Sequence, residues 1–181
     1  DANGNITSAN FPNGKTFNYS YDALNRITAV ADATGPLYGL TYDANSNITR
    51  MIKGSTYAYD AEYDSLDRLK KITDPLGNFA IFSYDKNSNI LSVTDRNNKT
   101  TSYTYDSLNR VKTMSDNNGF SVTLSYDAEG NIVSAMDQNN NTTSYTYDNL
   151  NRLRRTIYPD SRFIEYSYDN KLNYYHKVFG G

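Results

Sequence analysis

The dipeptide Tyr-Asp returns along this chain every 21 residues. It stands at Tyr21-Asp22, Tyr42-Asp43, Tyr63-Asp64, Tyr84-Asp85, Tyr105-Asp106, Tyr126-Asp127, Tyr147-Asp148 and Tyr168-Asp169, without insertion or deletion. Asp1 falls where the Asp of one further unit belongs. A period this strict means that one small supersecondary unit has been copied. Each copy must rest on its neighbours, because so short a unit cannot bury an apolar face alone.

The grammar inside each unit names the element. Residues two and four positions before the key Tyr are mostly apolar, as in Phe17-Tyr19-Tyr21, Val122-Leu124-Tyr126 and Ile164-Tyr166-Tyr168. The residue just before it is a hydroxyl at Ser20, Thr41, Ser83, Thr104, Ser125, Thr146 and Ser167, and Glu62 departs. Alternation with period two predicts a strand with one apolar and one polar face. Three positions after the Asp stand Asn25, Ser46, Asp67, Ser88, Asn109, Gly130 and Asn151. These include the residues that best tolerate positive φ, so a turn is predicted there.

A second strand opens at Ile27, Ile48, Leu69, Ile90, Val111, Ile132 and Leu153. Its next apolar position comes three later, as at Val30, Ile72 and Val93, which breaks alternation and predicts a β-bulge or a strong twist. A second turn follows at Asp32 to Gly35, Asp74 to Gly77, Asp95 to Asn98, Asp116 to Gly119 and Asp137 to Asn140. The fold class is therefore all-β: antiparallel hairpins in a curled, spiralling sheet of roughly 17 short strands. A parallel β-solenoid with one coil per unit shares the period and is the alternative.

A period of 42 overlies the first. One turn class reads Asp-x-Leu-Asn/Asp-Arg, at Leu24 to Arg26, Leu66 to Arg68, Leu108 to Arg110 and Leu150 to Arg152. The other ends in Asn, at Asn3 to Asn5, Asn45 to Asn47, Asn87 to Asn89 and Glu129 to Asn131. Alternating Arg with Asn keeps like charges from stacking, so the packing unit is a pair of repeats.

Composition narrows the partners. Eighteen basic and 20 acidic residues are spread along the chain, for a net charge of −2. No basic stripe suggests nucleic acid and no apolar run suggests membrane insertion. Cysteine is absent, which excludes disulfides and thiolate metal sites. The chain begins at Asp1 without Met or a signal-peptide pattern and reads as a piece of a larger protein, one array of about 8.5 repeats over residues 1–181.

Tyr-Asp-x-Leu-Asn-Arg-Ile at Tyr21 to Ile27 and Tyr-Asp-Ala-Glu-Gly-Asn-Ile at Tyr126 to Ile132 resemble the Rhs or YD repeat. That family takes in bacterial Rhs and insecticidal toxin-complex shell proteins, wall-associated proteins and teneurins. The resemblance covers essentially the whole chain. It implies a hollow, spiralling β-shell, which encloses a toxic C-terminal segment in bacterial toxin members and serves cell-surface adhesion in teneurins. It implies a secreted or cell-surface location. Members often end their core in paired Asp-Pro-x-Gly elements linked to self-cleavage. The single one here, Asp74 to Gly77, sits in the phase of an ordinary turn and reads as one.

No residue pattern asks for an enzyme or a cofactor. The lone His176 reads as a terminal surface residue rather than a base. The repeated Asp residues read as turn-closers. Asp43, Asn45 and Asn47 resemble the start of a calcium loop, as do their counterparts from Asp1 and Asp85, but position twelve holds Pro12, Gly54 or Arg96 where a bidentate acid belongs. Tyr rows could stack glycans, although cross-strand pairing explains their regularity. Sequons at Asn5, Asn18, Asn47, Asn98, Asn140 and Asn141 follow from composition.

The functional expectation is a shell segment, with a glycan- or receptor-binding adhesion module as the alternative. Seventeen strands at about 4.8 Å span roughly 80 Å, a ring of radius about 13 Å if curled once, too narrow to hold a folded domain. Self-association through open sheet edges or the apolar face is expected.

Overall fold

Each repeat folds into two strands and two turns. The computed structural model describes residues 1–169 and the backbone of 174–180. They form two compact units, Asp1–Ser83 with Thr94–Asn98, and Tyr84–Val93 with Lys99–Gly181. No helix is found among the described residues.

The first unit carries β1 (Ser8–Asn10), β2 (Thr16–Tyr21), β3 (Ile27–Asp32), β4 (Gly35–Tyr42), β5 (Ile48–Lys53), β6 (Tyr57–Tyr63), β7 (Leu69–Thr73) and β8 (Phe79–Tyr84). Each pairs antiparallel with the next. Of the second unit's strands, β9 (Ile90–Thr94) precedes a meander of β10 (Thr100–Tyr105), β11 (Val111–Asp116), β12 (Ser121–Tyr126), β13 (Ile132–Asp137), β14 (Thr142–Tyr147), β15 (Leu153–Ile157), β16 (Phe163–Tyr168) and β17 (Tyr174–Gly180). From β10 to β17 every consecutive pair is antiparallel. Antiparallel pairing rules out the solenoid alternative, whose strands would run parallel.

Register sorts the side chains by face. In the first unit Tyr19 lies opposite Val30, and Val30 opposite Tyr38. Leu40 lies opposite Met51, and Met51 opposite Tyr59. On the other face Thr41, Arg50, Asp60 and Thr73 follow one another across four strands. In the second unit Tyr103, Met114 and Val122 share an apolar face. Thr104, Thr113 and Thr123 share that unit's polar face.

The bulge falls where alternation fails. Tyr21 pairs with Ile27 but Ser20 with Ala29, so Thr28 is skipped. The same shift precedes Tyr42, Tyr63, Tyr105, Tyr126, Tyr147 and Tyr168. One extra residue turns Val30 back onto the face of Ile27, and the broken alternation in sequence is the mark of an unbroken apolar face in space.

The turns close as anticipated. Asp22 N–H donates to the Arg26 carbonyl at 2.9 Å and Asn25 N–H to the Asp22 carbonyl at 3.0 Å. Asn25 takes φ 61°, and Ser46, Asp67, Ser88, Asn109, Gly130 and Asn151 are all at positive φ too. On the opposite edge Asp74, Asp116 and Asp137 head the same kind of turn. Asp32 differs: it pairs with Gly35 across a shorter loop, beside a register shift near Pro36. Two turns without a leading Asp, Phe11–Lys15 and Tyr158–Arg162, adopt the same hydrogen bonding, with Gly14 and Ser161 at positive φ.

Ser161 occupies that left-handed position at φ 67° without the amide of an Asn to steady it. A side chain there costs about 1–2 kcal/mol, part of which glycine returns as chain entropy. Ser161→Gly is therefore expected to stabilise the chain by roughly 0.5–1 kcal/mol, read as a rise in the urea midpoint at unchanged slope.

Burial is sparse. Among the described residues only Ile164 and Thr156 are buried. The rest of the apolar face is partly covered, so its hydrophobic gain is real but incomplete. Polar side chains must carry much of the specificity, and they gather at one edge.

Candidate functional site: an interlocked turn edge

Each Tyr-Asp turn is held by one carboxylate. Asp106 Oδ1 accepts the backbone N–H of Leu108 at 2.9 Å and of Arg110 at 3.0 Å, while Oδ2 accepts the Arg110 guanidinium at 2.7 Å. Asp22, Asp64 and Asp148 do the same with Arg26, Arg68 and Arg152. In the alternate class an Asn amide replaces the guanidinium, as from Asn131 to Asp127 at 3.0 Å. Only Asp offers two acceptor oxygens at this short reach, which explains its recurrence.

These bonds depress the carboxyls below their usual 3.8. The backbone N–H of the paired Arg contributes most at Asp22 and Asp106. The guanidinium contributes most at Asp64 and Asp148. The Asn amide contributes most at Asp74, Asp127 and Asp137. At Asp43 burial pushes upward, and the amide and backbone N–H of Asn47 outweigh it.

Neighbouring turns then interlock in alternation. From an Asn-class turn the amides of Asn87 and Asn89 both donate to Asn109 Oδ1, at 3.0 and 2.8 Å. Asn3 and Asn5 do so to Asn25, and Asn45 and Asn47 to Asp67. Thus the residue at positive φ also serves as acceptor for the preceding turn. From an Arg-class turn the guanidinium reaches forward. Arg26 donates to the Asp43 carbonyl and to Ser46 Oγ, and its Cζ sits 4.5 Å from the centroid of the Tyr42 ring. Arg110 covers Tyr126 and Arg152 covers Tyr168, each at 4.4 Å. Such cation–π contacts stabilise by about 0.5–1 kcal/mol each at exposed sites.

The key tyrosines fill the gap that the strand ladder leaves. Pairing of β11 with β12 stops at Thr113 and Thr123, and beyond it Tyr126 donates its phenol to the Val111 carbonyl at 2.7 Å. Tyr21, Tyr42, Tyr63, Tyr105, Tyr147 and Tyr168 likewise bond the residue 15 positions earlier. Burial raises the phenols of Tyr105 and Tyr147 above 10.0, so both remain donors near neutral pH. Tyr126→Phe removes one bond and strands a carbonyl at the bulge, for an expected loss of about 1–2 kcal/mol in a urea melt.

The sequence-predicted residues are thus brought together, in a row along one edge of each unit. Sequence reading took the Arg/Asn alternation as avoidance of like charges and missed the positive contacts it makes. The Asn amides, offset by 20 and 22 positions from their acceptors, carried that signal. Asp43, Asn45 and Asn47 do meet, but Asp43 accepts three N–H bonds from Asn45 and Asn47. Both amides in turn donate to Asp67. With those oxygens engaged, calcium is expected to leave the thermal midpoint unmoved in titration; a saturable rise would establish the ion's site. Among the described residues no cluster of three or more His, Cys, Asp and Glu could hold a metal. The side chain of His176 lies outside the described residues.

Comparison with known proteins adds a family and a fold. No curated protein matches the chain. Residues 1–37 and 21–56 match the RHS repeat. Among solved structures, a Photorhabdus luminescens Tc holotoxin pore is similar at TM-score 0.80 and 15% identity, over 99% of this chain and 11% of that one. The TcdB2-TccC3-Cdc42 crystal structure is similar at TM-score 0.79 and 14% identity, with the same coverage. At such identity the likeness concerns fold, and the chain spans about a ninth of those proteins' length. The teneurin YD-shell matches residues 46–177, most of the sequence, and the chain belongs to that family.

Proposed function

We propose that this chain is wall material: a stretch of a secreted or cell-surface YD-shell whose task is to be a rigid, closed-seamed ribbon, without catalysis of its own. The observation that carries this reading is where the polar chemistry goes. The Asp, Arg, Asn and Tyr residues that could bind or react are engaged with one another along the turn edge, as at Asp106, Arg110 and Tyr126. The structural neighbours are Tc toxin assemblies, which supports a role in a longer wall enclosing a toxin domain.

The second reading, glycan-binding adhesion, is favoured by exposed aromatic rings such as Tyr57 and Tyr38. A glycan array probed with the purified chain separates the two. The wall reading expects no reproducible binder. Binding that disappears in Tyr57→Ala or Tyr38→Ala, with the thermal midpoint retained, would overturn it in favour of adhesion. Native-state hydrogen exchange supplies the positive arm: strand amides protected in every described repeat, as rigid wall material requires.

A further inference from the structure

Three Asn-Gly pairs stand in turns of this chain, at Asn3-Gly4, Asn13-Gly14 and Asn118-Gly119. Asn is a thermally labile side chain, and its fate depends on the residue that follows it. A glycine leaves the next main-chain nitrogen without a Cβ to shield it. In sequence the three pairs are equivalent. The structure makes them unequal.

At Asn3 the carboxamide is pinned by the bond it donates to Asn25 Oδ1 at 3.0 Å, and Gly4 N–H donates to the Asp1 carbonyl at 3.1 Å. At Asn13 the carboxamide oxygen accepts Lys15 N–H at 3.1 Å, and Gly14 N–H donates to the Phe11 carbonyl at 2.9 Å. Asn118 is exposed, and its carboxamide bonds to no described residue; only its backbone N–H is used, toward Asp116 Oδ1 at 2.9 Å. Gly119 N–H lies 3.4 Å from the Asp116 carbonyl, farther than the matching bonds at Gly4 and Gly14. Nothing stands within 4 Å of the place where a Cβ of Gly119 would be. With a free side chain and a loosely held nitrogen, this turn opens more readily than the other two.

We propose that Asn118 is a self-modification site, at which the chain converts to isoaspartate without an enzyme. The Gly119 nitrogen gives its proton to hydroxide and bonds to Asn118 Cγ. The bond from Cγ to the side-chain nitrogen breaks, and that nitrogen takes a proton from water and leaves as ammonia. A succinimide ring remains, and water adds to one of its carbonyls. Opening at Cγ gives aspartate, whereas opening at the main-chain carbonyl, the more electrophilic of the two, gives isoaspartate as the main product. One water enters and one ammonia leaves, so no oxidant or cofactor is needed.

Isoaspartate lengthens the main chain by one methylene between 118 and 119. Asp116 Oδ1 accepts the N–H of Asn118 and of Phe120, at 2.9 and 3.0 Å, and Asp116 N–H donates to the Phe120 carbonyl at 2.9 Å. The longer path carries Phe120 away from both of its bonds and sets a new carboxylate beside Asp116. The β11–β12 hairpin therefore loosens with age at this turn, at the end of its strands away from the Tyr-Asp edge. The inference goes beyond the wall reading, which stands or falls on its own tests.

Timed incubation in warm, mildly alkaline buffer decides the matter, with the folded chain beside the chain unfolded in guanidinium chloride. Peptide mass spectrometry with electron-transfer fragmentation reads each site and separates isoaspartate from aspartate. In the unfolded chain the three pairs should gain one mass unit at similar rates. In the folded chain Asn118 should lead Asn3 and Asn13 by about fivefold or more, because each of those has a further hydrogen bond to break. Asn118→Gln, whose longer side chain closes the ring poorly, should remove the early conversion and keep its thermal midpoint while that of the natural chain falls. Asn3 or Asn13 converting first in the folded chain overturns the proposal. So does an intact Asn118 in the folded chain after the unfolded chain has converted, or a midpoint that falls equally in Asn118→Gln.

Discussion

From neutral pH down to about pH 5 the urea midpoint of this chain is expected to stay level, and below about pH 4 to fall steeply. The turn carboxylates supply the reason. Asp22, Asp43, Asp64, Asp106, Asp127 and Asp148 on one edge all sit below 3.8 in the folded chain. Asp32, Asp74, Asp116, Asp137 and Asp160, from the opposite turns, do the same. A carboxyl depressed by folding binds its proton more readily in the unfolded chain. It contributes stability above the unfolded value, and that contribution drains away as pH falls through the folded value. Each such group adds to the slope, so the collapse should be accompanied by uptake of several protons per molecule. Asp116, held low chiefly by the Lys99 ammonium 2.9 Å away, loses that pair when its carboxyl takes up a proton. A midpoint that holds steady from pH 5 to pH 3 would show that the carboxylates do not carry the turns. Asp106→Asn should flatten a share of the acid limb while lowering the plateau, because one amide oxygen can still meet the backbone N–H groups but cannot pair with Arg110.

Deleting 21 residues should damage the second unit more than deleting 42. Removal of 106–147 joins Tyr105 to Asp148, so an Asn-class turn is still followed by an Arg-class turn. Removal of 106–126 joins Tyr105 to Asp127 and sets two Asn-class turns side by side. The amides of Asn87 and Asn89 then face Gly130, which has no side-chain oxygen, where the longer deletion gives them Asn151 in place of Asn109. Two hydrogen bonds at about 1 kcal/mol each give a seam weaker by roughly 2 kcal/mol than the one in the longer deletion. Thermal melts of the two deletion proteins test this. Equal midpoints, or a higher one for the shorter deletion, would mean that one repeat and not a pair is the unit of packing.

Much of this architecture was legible in the sequence, because its determinants are local. The Tyr-Asp phase, the positive-φ residues from Asn25 to Asn151 and the bulge signalled by Val30 each involve residues close in the chain. What escaped notice needed two turns in register. The phenol of Tyr126 reaching Val111, and Arg110 lying over Tyr126, become visible only once the strands are laid side by side. The turns at Phe11 and Tyr158 were hidden for a different reason. They lack the Asp that announces the others, and backbone hydrogen bonding with Gly14 or Ser161 suffices to close them. The apolar face is rich in groups that composition alone would place inside, yet among the described residues only Ile164 and Thr156 are fully buried.

The bonds that join one turn to the next span 20 or 22 positions, and those from phenol to carbonyl span 15. Loop closure over such short stretches loses little entropy, so structure can nucleate at any repeat and spread outward like a zipper. A nascent chain of this kind has no need to wait for its far end. Each pair of repeats can set as it leaves the ribosome or an export channel, and the time to complete the array should grow with its length rather than wait on one late, global collapse.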